Sequence, residues 1–496
     1  MDWIRLISSA TQVERENEPS EWEIYPISDF EKDYKSIISS AAFRRLQDKT
    51  QVFPLDKSDF VRTRLTHSVE VSTIARQLGL MVTSNTTEYV PREFKPYDPE
   101  KDSEPDKLLK VEPSVISEIL SCAGLLHDLG NPPFGHFGEV VIRDWFAEEF
   151  EKDSFSYKGE LIKNILTERM KKDLCNFEGN AQALRILSKI KHNPMGYDMN
   201  LTYSAINTLI KYPTNSLQID DKSADVKFHK VGYFLSEEEL FDTVCKSTGT
   251  KTEDNQYSRH PLTFLMEAAD DIAYSTADLE DALKKGMFTV DEFITYFDSE
   301  CAKINDTSKR NKSNDLIADL KKRLSEIETR DKENELIAFQ KWSEYARKWF
   351  MYCVIYSFSK NYKRIMQGTY KDDLFASGFH QYSIKILKGT MAKFAFNLPE
   401  ILKLELAAKK IISSLLKDFV YAVIHWEDED ESYKLNKAQK KLVNIISENY
   451  KNDYKHSRTA DYRMNLYLRF LMVTDYISGM TDSFAKNLYR ELNGID

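Results

Sequence analysis

A histidine and an aspartate stand side by side in a setting that suits metal binding. His127 and Asp128 follow the apolar run CAGLL, so they end a segment that reads as a buried helix. Adjacent helical side chains diverge by about 100°, yet both can reach one ion placed beside the helix end. An ionised carboxylate buried beside an imidazole is costly without a partner, so we predict that a metal ion is that partner.

A further histidine follows the stretch LGNPPFG, whose Gly and Pro residues break the helix and form a rigid turn. We expect this turn to bring His136 back near the metal. Glu139 lies three residues later and shares a helical face with His136 if a helix begins there. A carboxylate bonded to an imidazole orients the ring and raises its basicity, which is typical of acid–base catalysis.

A second acidic cluster lies in the segment EAADDIAYSTADLEDA. Asp270, Tyr274 and Asp278 are spaced at i, i+4 and i+8 and therefore lie on one helix face, whereas Asp271 is rotated away by about 100°. A solvated acidic stripe is the alternative interpretation. The apolar residues around the acids instead predict a buried helix, on which carboxylates need a metal ion or a hydrogen-bond partner.

An arginine lies one helical turn before a third histidine. In RTRLTHSVEVS, Arg64 precedes His67 by three residues, so both face the same side of the predicted helix. A guanidinium group suits bidentate binding of a phosphate. The alternative is a surface salt bridge.

The elements that position these residues are predicted to be helices. Apolar residues recur at helical spacing, and two-residue alternation is scarce, with Val231–Phe234 as the best strand candidate and 92–113 as a Pro-rich loop. The fold class predicted is therefore all-α. The predicted helices are 68–82, 114–128, 178–192, 200–212, 260–285, 335–360, 400–426 and 460–490.

Composition limits the classes of function. The net charge of −10 argues against a protein that binds nucleic acid through its overall charge. The five cysteines form no C-x-x-C pair, which excludes a cysteine-ligated zinc ribbon and indicates a reducing compartment. No apolar run reaches the roughly 20 residues that span a bilayer, and the N-terminus is too polar for a signal peptide. We expect a cytoplasmic protein that does not act at a membrane.

The pattern H…HD…D resembles the HD-domain metal phosphohydrolase superfamily. This resemblance implies four metal ligands, His67, His127, Asp128 and Asp270, around Mg²⁺, Mn²⁺ or a similar divalent ion. The flanking segments AAFRRLQDKTQVFPL, FEGNAQALRIL, TYSAINTLIKYP and KVGYFLSEEE are similar to those of the deoxyguanosinetriphosphate triphosphohydrolase (dGTPase) family. The similarity runs from about residue 37 to 285 and resumes at DYISGMTDSFA.

The resemblance implies an HD-domain helical core with helical insertions and a helical C-terminal region. It also implies a reaction, in which metal-activated water attacks the α-phosphorus of dGTP or another dNTP and releases the deoxynucleoside and inorganic triphosphate. The implied catalytic residues are His136 and Glu139. The implied substrate-binding residues are Gln51, Val52, Arg64, Asn180, Lys211, Tyr212, Lys230, Tyr274 and Asp278. We expect one of Arg458, Arg463 and Arg469 to complete the phosphate or base pocket, with a salt-bridged surface helix as the alternative.

Partners follow from the same resemblance: a dNTP substrate, a homo-oligomer that includes the hexamer among its forms, and single-stranded DNA as an effector. One alternative function is another HD phosphohydrolase, such as a 5′-nucleotidase or a guanosine tetraphosphate hydrolase. Another is a non-catalytic regulator that binds nucleotides or single-stranded DNA. The predicted domains are 1–290, the catalytic core with its N-terminal segment, and 291–496, a C-terminal region packing on it; a single domain is the alternative.

Overall fold

Helices form nearly all of the regular structure in the described chain. The computed structural model describes residues 1–15, 27–53, 60–85, 113–188, 199–395, 398–428 and 431–495. The α-helices of the N-terminal half are α1 (Trp3–Leu6), α2 (Asp29–Ser39), α3 (Ala41–Arg44), α4 (Arg64–Asn85), α5 (Pro113–Leu126), α6 (Gly135–Phe150), α7 (Ile162–Ile165), α8 (Glu168–Cys175), α9 (Gly179–Ser188), α10 (Tyr203–Leu209) and α11 (Glu238–Thr248). The all-α prediction is confirmed.

The helices of the remaining chain are longer on average. They are α12 (Pro261–Lys284), α13 (Val290–Ala302), α14 (Thr307–Ser325), α15 (Lys332–Met366), α16 (Gln381–Phe394), α17 (Pro399–Val423), α18 (Lys437–Ile445), α19 (Glu448–Ser457), α20 (Tyr462–Ser478) and α21 (Asp482–Asn493). Short 3-10 helices cover Arg45–Asp48, Val226–Phe228, Leu235–Glu237 and Glu431–Tyr433. Each predicted helix overlaps an observed one, although 189–192 of the third prediction and 92–112 of the predicted loop lie outside the described residues.

The only ladder of strands in the described ranges is a small hairpin of β1 (Ser156–Tyr157) and β2 (Glu160–Leu161). The strands are antiparallel, with Ser156 opposite Leu161 and Tyr157 opposite Glu160. The strand predicted at Val231–Phe234 is wrong. Its Gly232 N–H donates one bond to the carbonyl of Thr214 (2.9 Å), and the apolar side chains are buried in the core without a strand ladder.

Local sequence explains where many helices begin. Thr289 and Glu292 form a reciprocal capping box at the start of α13, in which each side chain satisfies the other's backbone N–H. Thr202 caps α10 by accepting a bond from the N–H of Ala205. These side chains satisfy backbone groups that a helix start leaves without partners.

Two hydrophobic cores meet along α5. Leu125 and Leu126 belong to a core built mainly by α6–α11 and α17–α21, whereas Ile119 and Leu120 belong to a core built by α4 and α12–α16. The end of α5 therefore lies inside the protein, which is where His127 and Asp128 follow it. Residues before and after 290 contribute to both cores. The division into 1–290 and 291–496 stays a prediction.

Two further observations concern the whole described chain. All five cysteines are free thiols. Among the helices of the described ranges, none combines the length and the apolar character needed to cross a membrane.

Candidate metal centre and active site

The four predicted ligands come from three helices that pack against one another. His67 lies on the first turn of α4, His127 and Asp128 follow α5, and Asp270 lies in the middle of α12. One ligand atom each of His67, His127 and Asp128 lies within 4.8 Å of the others. Asp270 Oδ1 is 3.3 Å from His67 Nε2 and 3.5 Å from His127 Nε2. The structure thus brings together four side chains that are far apart in sequence.

The His127 ring shows why these residues fit a cation. Its Nδ1 lies 2.8 Å from the carbonyl oxygen of Gly124, so Nδ1 carries the proton and donates it. The other nitrogen, Nε2, is buried and has no hydrogen-bond partner in the described chain. It lies 3.4 Å from Asp128 Oδ2 and 3.5 Å from Asp270 Oδ1. An imidazole lone pair facing two carboxylates is unfavourable unless a cation lies between them.

Both carboxylates are held in the charged form that a metal needs. Burial alone would raise the pKa of Asp128, but the charge of Arg64 is the largest influence that opposes burial, and the pKa lies well below its usual range. Burial likewise opposes ionisation of Asp270, but the charge of Lys211 is the largest influence that opposes burial, and the pKa of Asp270 lies well below its ordinary value. Two imidazole nitrogens and two carboxylates suit Mg²⁺, Mn²⁺ or Fe²⁺.

Asp128 is fixed from two sides. Arg64 Nη1 donates to Asp128 Oδ2 (2.6 Å), and Asn131 Nδ2 donates to Asp128 Oδ1 (2.6 Å). Arg64 therefore points into the same site as His67, as the spacing predicted. Its guanidinium lies against Gly135, whose φ of 62° and missing Cβ leave room for it. Arg64 Nε is buried without a partner in the described chain, so a donor remains for a bound anion.

The predicted histidine–glutamate pair forms at the start of α6. His136 Nδ1 lies 2.7 Å from Glu139 Oε2, and Glu139 Oε1 accepts a bond from the N–H of Gly179 (2.7 Å). Burial raises the pKa of Glu139, but the bond with His136 and nearby cations outweigh this and lower it. The His136 side chain is 71% exposed. The carboxylate thus fixes the ring while Nε2 stays available to a ligand.

Sequence reasoning missed a second buried carboxylate beside this pair. Glu178 accepts bonds from Arg143 Nη2 (2.6 Å), Lys230 Nζ (2.9 Å) and Asn180 Nδ2 (3.0 Å). It therefore gathers two predicted substrate-binding residues, Asn180 and Lys230, at one point. The quoted segment FEGN contained the signal, because an acid between Phe and Gly at a helix start rarely lacks a partner when it is buried.

Lys211 is also close to the centre. Its Nζ donates to Asp270 Oδ2 (2.8 Å), on the side of the carboxylate away from the histidines. Burial would lower the pKa of Lys211, but Asp270 and Glu267 raise it above its usual range, so Lys211 is charged. Tyr212 follows it, and burial together with Glu267 raises the pKa of its hydroxyl.

The predicted sugar-side residues present acceptors without partners. Gln51 Oε1 and Asp278 Oδ2 are buried atoms with no hydrogen bond in the described chain. Burial raises the pKa of Asp278 to about 7. Tyr274 and Val52 are half-buried. Such acceptors match the hydroxyl donor of a sugar.

A buried lysine links the metal centre to the C-terminal helices. Lys49 Nζ donates to the carbonyls of Asn131 (2.6 Å) and Ser478 (2.7 Å). Lys49 as a whole is 3% exposed. Burial, reinforced by the positive charge of Arg64, lowers the pKa of Lys49 to about 7. Since Asn131 in turn holds Asp128, Lys49 positions the turn that carries a predicted ligand. Sequence periodicity gives no sign of this contact.

The three C-terminal arginines have partners of their own. Arg458 lies 3.7 Å from a carboxylate oxygen of Glu427, and the guanidinium of Arg463 lies over the ring of the preceding residue. Arg469 is buried and donates to a backbone carbonyl and a tyrosine hydroxyl within the helical core. Its contacts are those of a structural residue. The selection of one arginine for the substrate pocket stays a prediction.

Comparisons with known proteins agree with this geometry. The HD domain model matches residues 64–193. A deoxyguanosinetriphosphate triphosphohydrolase-like protein of Listeria monocytogenes is 42% identical over 94% of both chains. Deoxyguanosinetriphosphate triphosphohydrolases of Serratia proteamaculans (30% identical, 94% of both chains) and Enterobacter sp. (31%, 96% of this chain and 95% of the relative) also match. A phosphohydrolase site of the HD type, supported by relatives aligned over nearly the whole length, places this chain in the deoxyguanosinetriphosphate triphosphohydrolase family.

Proposed function

We propose that this enzyme hydrolyses deoxynucleoside triphosphates, dGTP foremost, to the deoxynucleoside and inorganic triphosphate. The observation that carries the proposal is the convergence of His67, His127, Asp128 and Asp270, with a buried imidazole lone pair facing two charged carboxylates. The choice of dGTP is supported by the names of the relatives. The type of cleavage is supported by the family resemblance.

Mg²⁺ or Mn²⁺ would be held by these four side chains. When bound, such an ion supplies a Lewis acid and lowers the pKa of a coordinated water molecule. The protein contributes the orientation of the ligands. Gly124 fixes the His127 ring through its carbonyl, and Arg64 and Asn131 fix the two oxygens of Asp128.

His136 is the proposed acid–base residue. Glu139 accepts a hydrogen bond from the Nδ1–H group of His136. The other ring nitrogen, Nε2, can therefore accept a proton from the attacking water or donate one to the departing 5′-oxygen. Because Glu139 is itself fixed by Gly179, the ring is held at one angle. General acid–base catalysis of this kind contributes about 10²- to 10⁴-fold to the rate.

Cations around the centre are suited to the triphosphate. Arg64, Lys211 and Lys230 each contact a carboxylate now, and a substrate with about four negative charges can attract them. In a protein of net charge −10, such local cations are needed for an anionic substrate. We propose that Tyr212 and Asn180 line the same path.

The sugar end of the substrate is proposed to meet the acceptors without partners. Gln51 Oε1 or Asp278 Oδ2 can accept a bond from the 3′-hydroxyl. Tyr274 lies one helical turn after Asp270, where its ring can exclude a 2′-hydroxyl and favour deoxynucleotides over ribonucleotides. Val52 supplies apolar contact at the sugar edge.

Product analysis tests the proposal directly. Purified protein is incubated with each dNTP and Mg²⁺ or Mn²⁺, and nucleoside, triphosphate, diphosphate and phosphate are separated by anion-exchange chromatography. We expect deoxynucleoside and triphosphate in equal amounts, and none after chelation. Phosphate or diphosphate would instead favour another HD phosphohydrolase, and unchanged nucleotides would favour a binding regulator.

Three further expectations belong to the same proposal and rest on the family resemblance: a homo-oligomer with the hexamer as one form, single-stranded DNA as an effector, and a cytoplasmic location. Light scattering of the purified protein measures the subunit number. A steep dependence of DNA binding on salt concentration would support the effector, since phosphate contacts release counterions.

A further inference from the structure

The carboxylate next to the predicted ligand Asp270 has a cation of its own. Lys388 Nζ donates to Asp271 Oδ1 at 2.6 Å. Lys388 lies on α16, which packs along α12, so it comes from a part of the chain far beyond residues 64–193 of the HD match. The α16 helix therefore supplies a positive charge at the edge of the metal centre.

This ammonium contacts the residue that follows a predicted metal ligand in the chain. Burial alone would lower the pKa of Lys388, but Asp271 and then Asp270 and Asp373 outweigh it and raise the pKa. The group is therefore positively charged at neutral pH. Lys388 contacts Asp271 and Lys211 contacts Asp270, so two ammonium groups pair with neighbouring carboxylates of α12.

Three carboxylates of α12 each form an ion pair with one cation, and the cations differ in how exposed they are. The carboxylates are those of Glu267, Asp270 and Asp271. Arg259 donates to Glu267 and its side chain is 3% exposed, which fixes it in place. The side chain of Lys388 is 39% exposed, against 13% for the Lys211 side chain paired with Asp270. Of these three cations, Lys388 thus has the most freedom to change partner.

We propose that Lys388 is a further substrate-binding residue. When a triphosphate is bound with its inner phosphate at the metal centre, Lys388 gives up its contact with Asp271 and contacts the terminal phosphate instead. The proposal rests on the proposed function, because it assumes that a triphosphate occupies the site. Exchanging one anionic partner for another keeps the ammonium paired throughout. The C-terminal region would then complete a site whose metal ligands come from the first 270 residues.

A purely structural role gives a different prediction. If Lys388 only neutralises half-buried Asp271, removal of both charges should restore what removal of Lys388 loses. If Lys388 contacts phosphate, the double variant should remain defective. The Asp271→Asn/Lys388→Met double variant therefore separates the two roles.

The probe is inorganic tripolyphosphate, bound to the full-length protein at a fixed concentration of Mg²⁺ and followed by isothermal titration calorimetry. We expect K388M to weaken binding by about 10- to 100-fold, as expected for a lost hydrogen bond to a charged group. K388R should recover part of the loss. K385M is the matched control, since Lys385 lies exposed on the same helix beside Tyr382, and it should bind like the wild type.

Turnover of the same variants gives the second readout. We expect K388M and the double variant to raise KM for the dNTP by a factor similar to the loss in tripolyphosphate affinity, with kcat changed much less. Thermal unfolding of each variant checks that the fold is kept. Wild-type affinity in K388M, or recovery of affinity in the double variant, overturns the assignment of Lys388.

The two proposals can fail separately. If the wild type releases no triphosphate from any dNTP while tripolyphosphate binding depends on Lys388, the proposed reaction is wrong and the phosphate contact stands. If the wild type releases triphosphate and K388M binds tripolyphosphate normally, the reaction stands and the role of Lys388 is wrong.

Discussion

Replacing Lys49 with methionine removes a buried amino group and keeps a side chain of similar length. In the wild type this group donates to two backbone carbonyls and is 3% exposed. Burial lowers the pKa of Lys49 from an ordinary value of 10.5 to about 7. Between these two values the unfolded chain carries the proton and the folded protein does not.

The sign and size of the effect follow from this difference. As pH rises from 7 toward 10.5, binding of this proton stabilises the unfolded chain less and less, so the free energy of unfolding of the wild type increases. Each pKa unit corresponds to 1.36 kcal/mol. From pH 7.5 to 9.5 the wild type should gain about 2.5 kcal/mol relative to K49M. The carbonyls of Asn131 and Ser478, which lose their donor in K49M, add an offset that does not depend on pH.

Urea unfolding followed by circular dichroism at pH 7.5, 8.5 and 9.5 measures the difference between the two proteins. Taking the difference cancels the titration of all other groups. K35M is the matched control, since Lys35 is exposed on α2, and its difference from the wild type should not vary with pH. A K49M difference that stays constant within about 0.5 kcal/mol would refute the buried, weakly basic state of Lys49.

Three other substitutions test the proposed roles at the centre. Asp270→Ala should abolish Mn²⁺ binding in calorimetry together with turnover, because it removes one ligand and the partner of Lys211. His136→Ala should keep Mn²⁺ affinity and lower kcat by about 10²- to 10⁴-fold, and Glu139→Gln should lower it less; retained kcat in His136→Ala would remove that residue from the mechanism. Arg64→Lys should lower kcat/KM by about tenfold or more, because one ammonium cannot reproduce the planar contacts to Asp128 and a phosphate; unchanged kinetics would contradict the phosphate role.

The ligand positions could be predicted because their neighbours in sequence carry the information. His127 and Asp128 end an apolar helix, and Asp270 stands among buried alanines, so burial of the charges was visible from the letters alone. The pairing of His136 with Glu139 follows from helical spacing in the same way. Where apolar neighbours indicate that a polar group is buried, and a second polar group follows at helical spacing, the two can be inferred to be partners.

Contacts between distant segments could not be predicted. Nothing near Lys388 in the sequence indicates Asp271, and nothing near Lys49 indicates Ser478, because neither pair shares an element or a periodicity. The strand predicted at Val231–Phe234 was wrong for a related reason. Its apolar residues pack against helices that come from elsewhere in the chain, which alternation of side chains does not reveal.

The two acceptors of Lys49 also bear on how the chain is made. The carbonyl of Ser478 lies 429 residues after Lys49, whereas Asp270 lies 203 residues after His67. During synthesis the four predicted metal ligands are all present once Asp270 has been added, but the amino group of Lys49 then has the carbonyl of Asn131 and still lacks its second acceptor, Ser478. A nascent chain that stops before α20 therefore has the predicted ligands but only one of the two carbonyls that hold Lys49 under the Asp128 turn, and this support is completed only when α20 has been added.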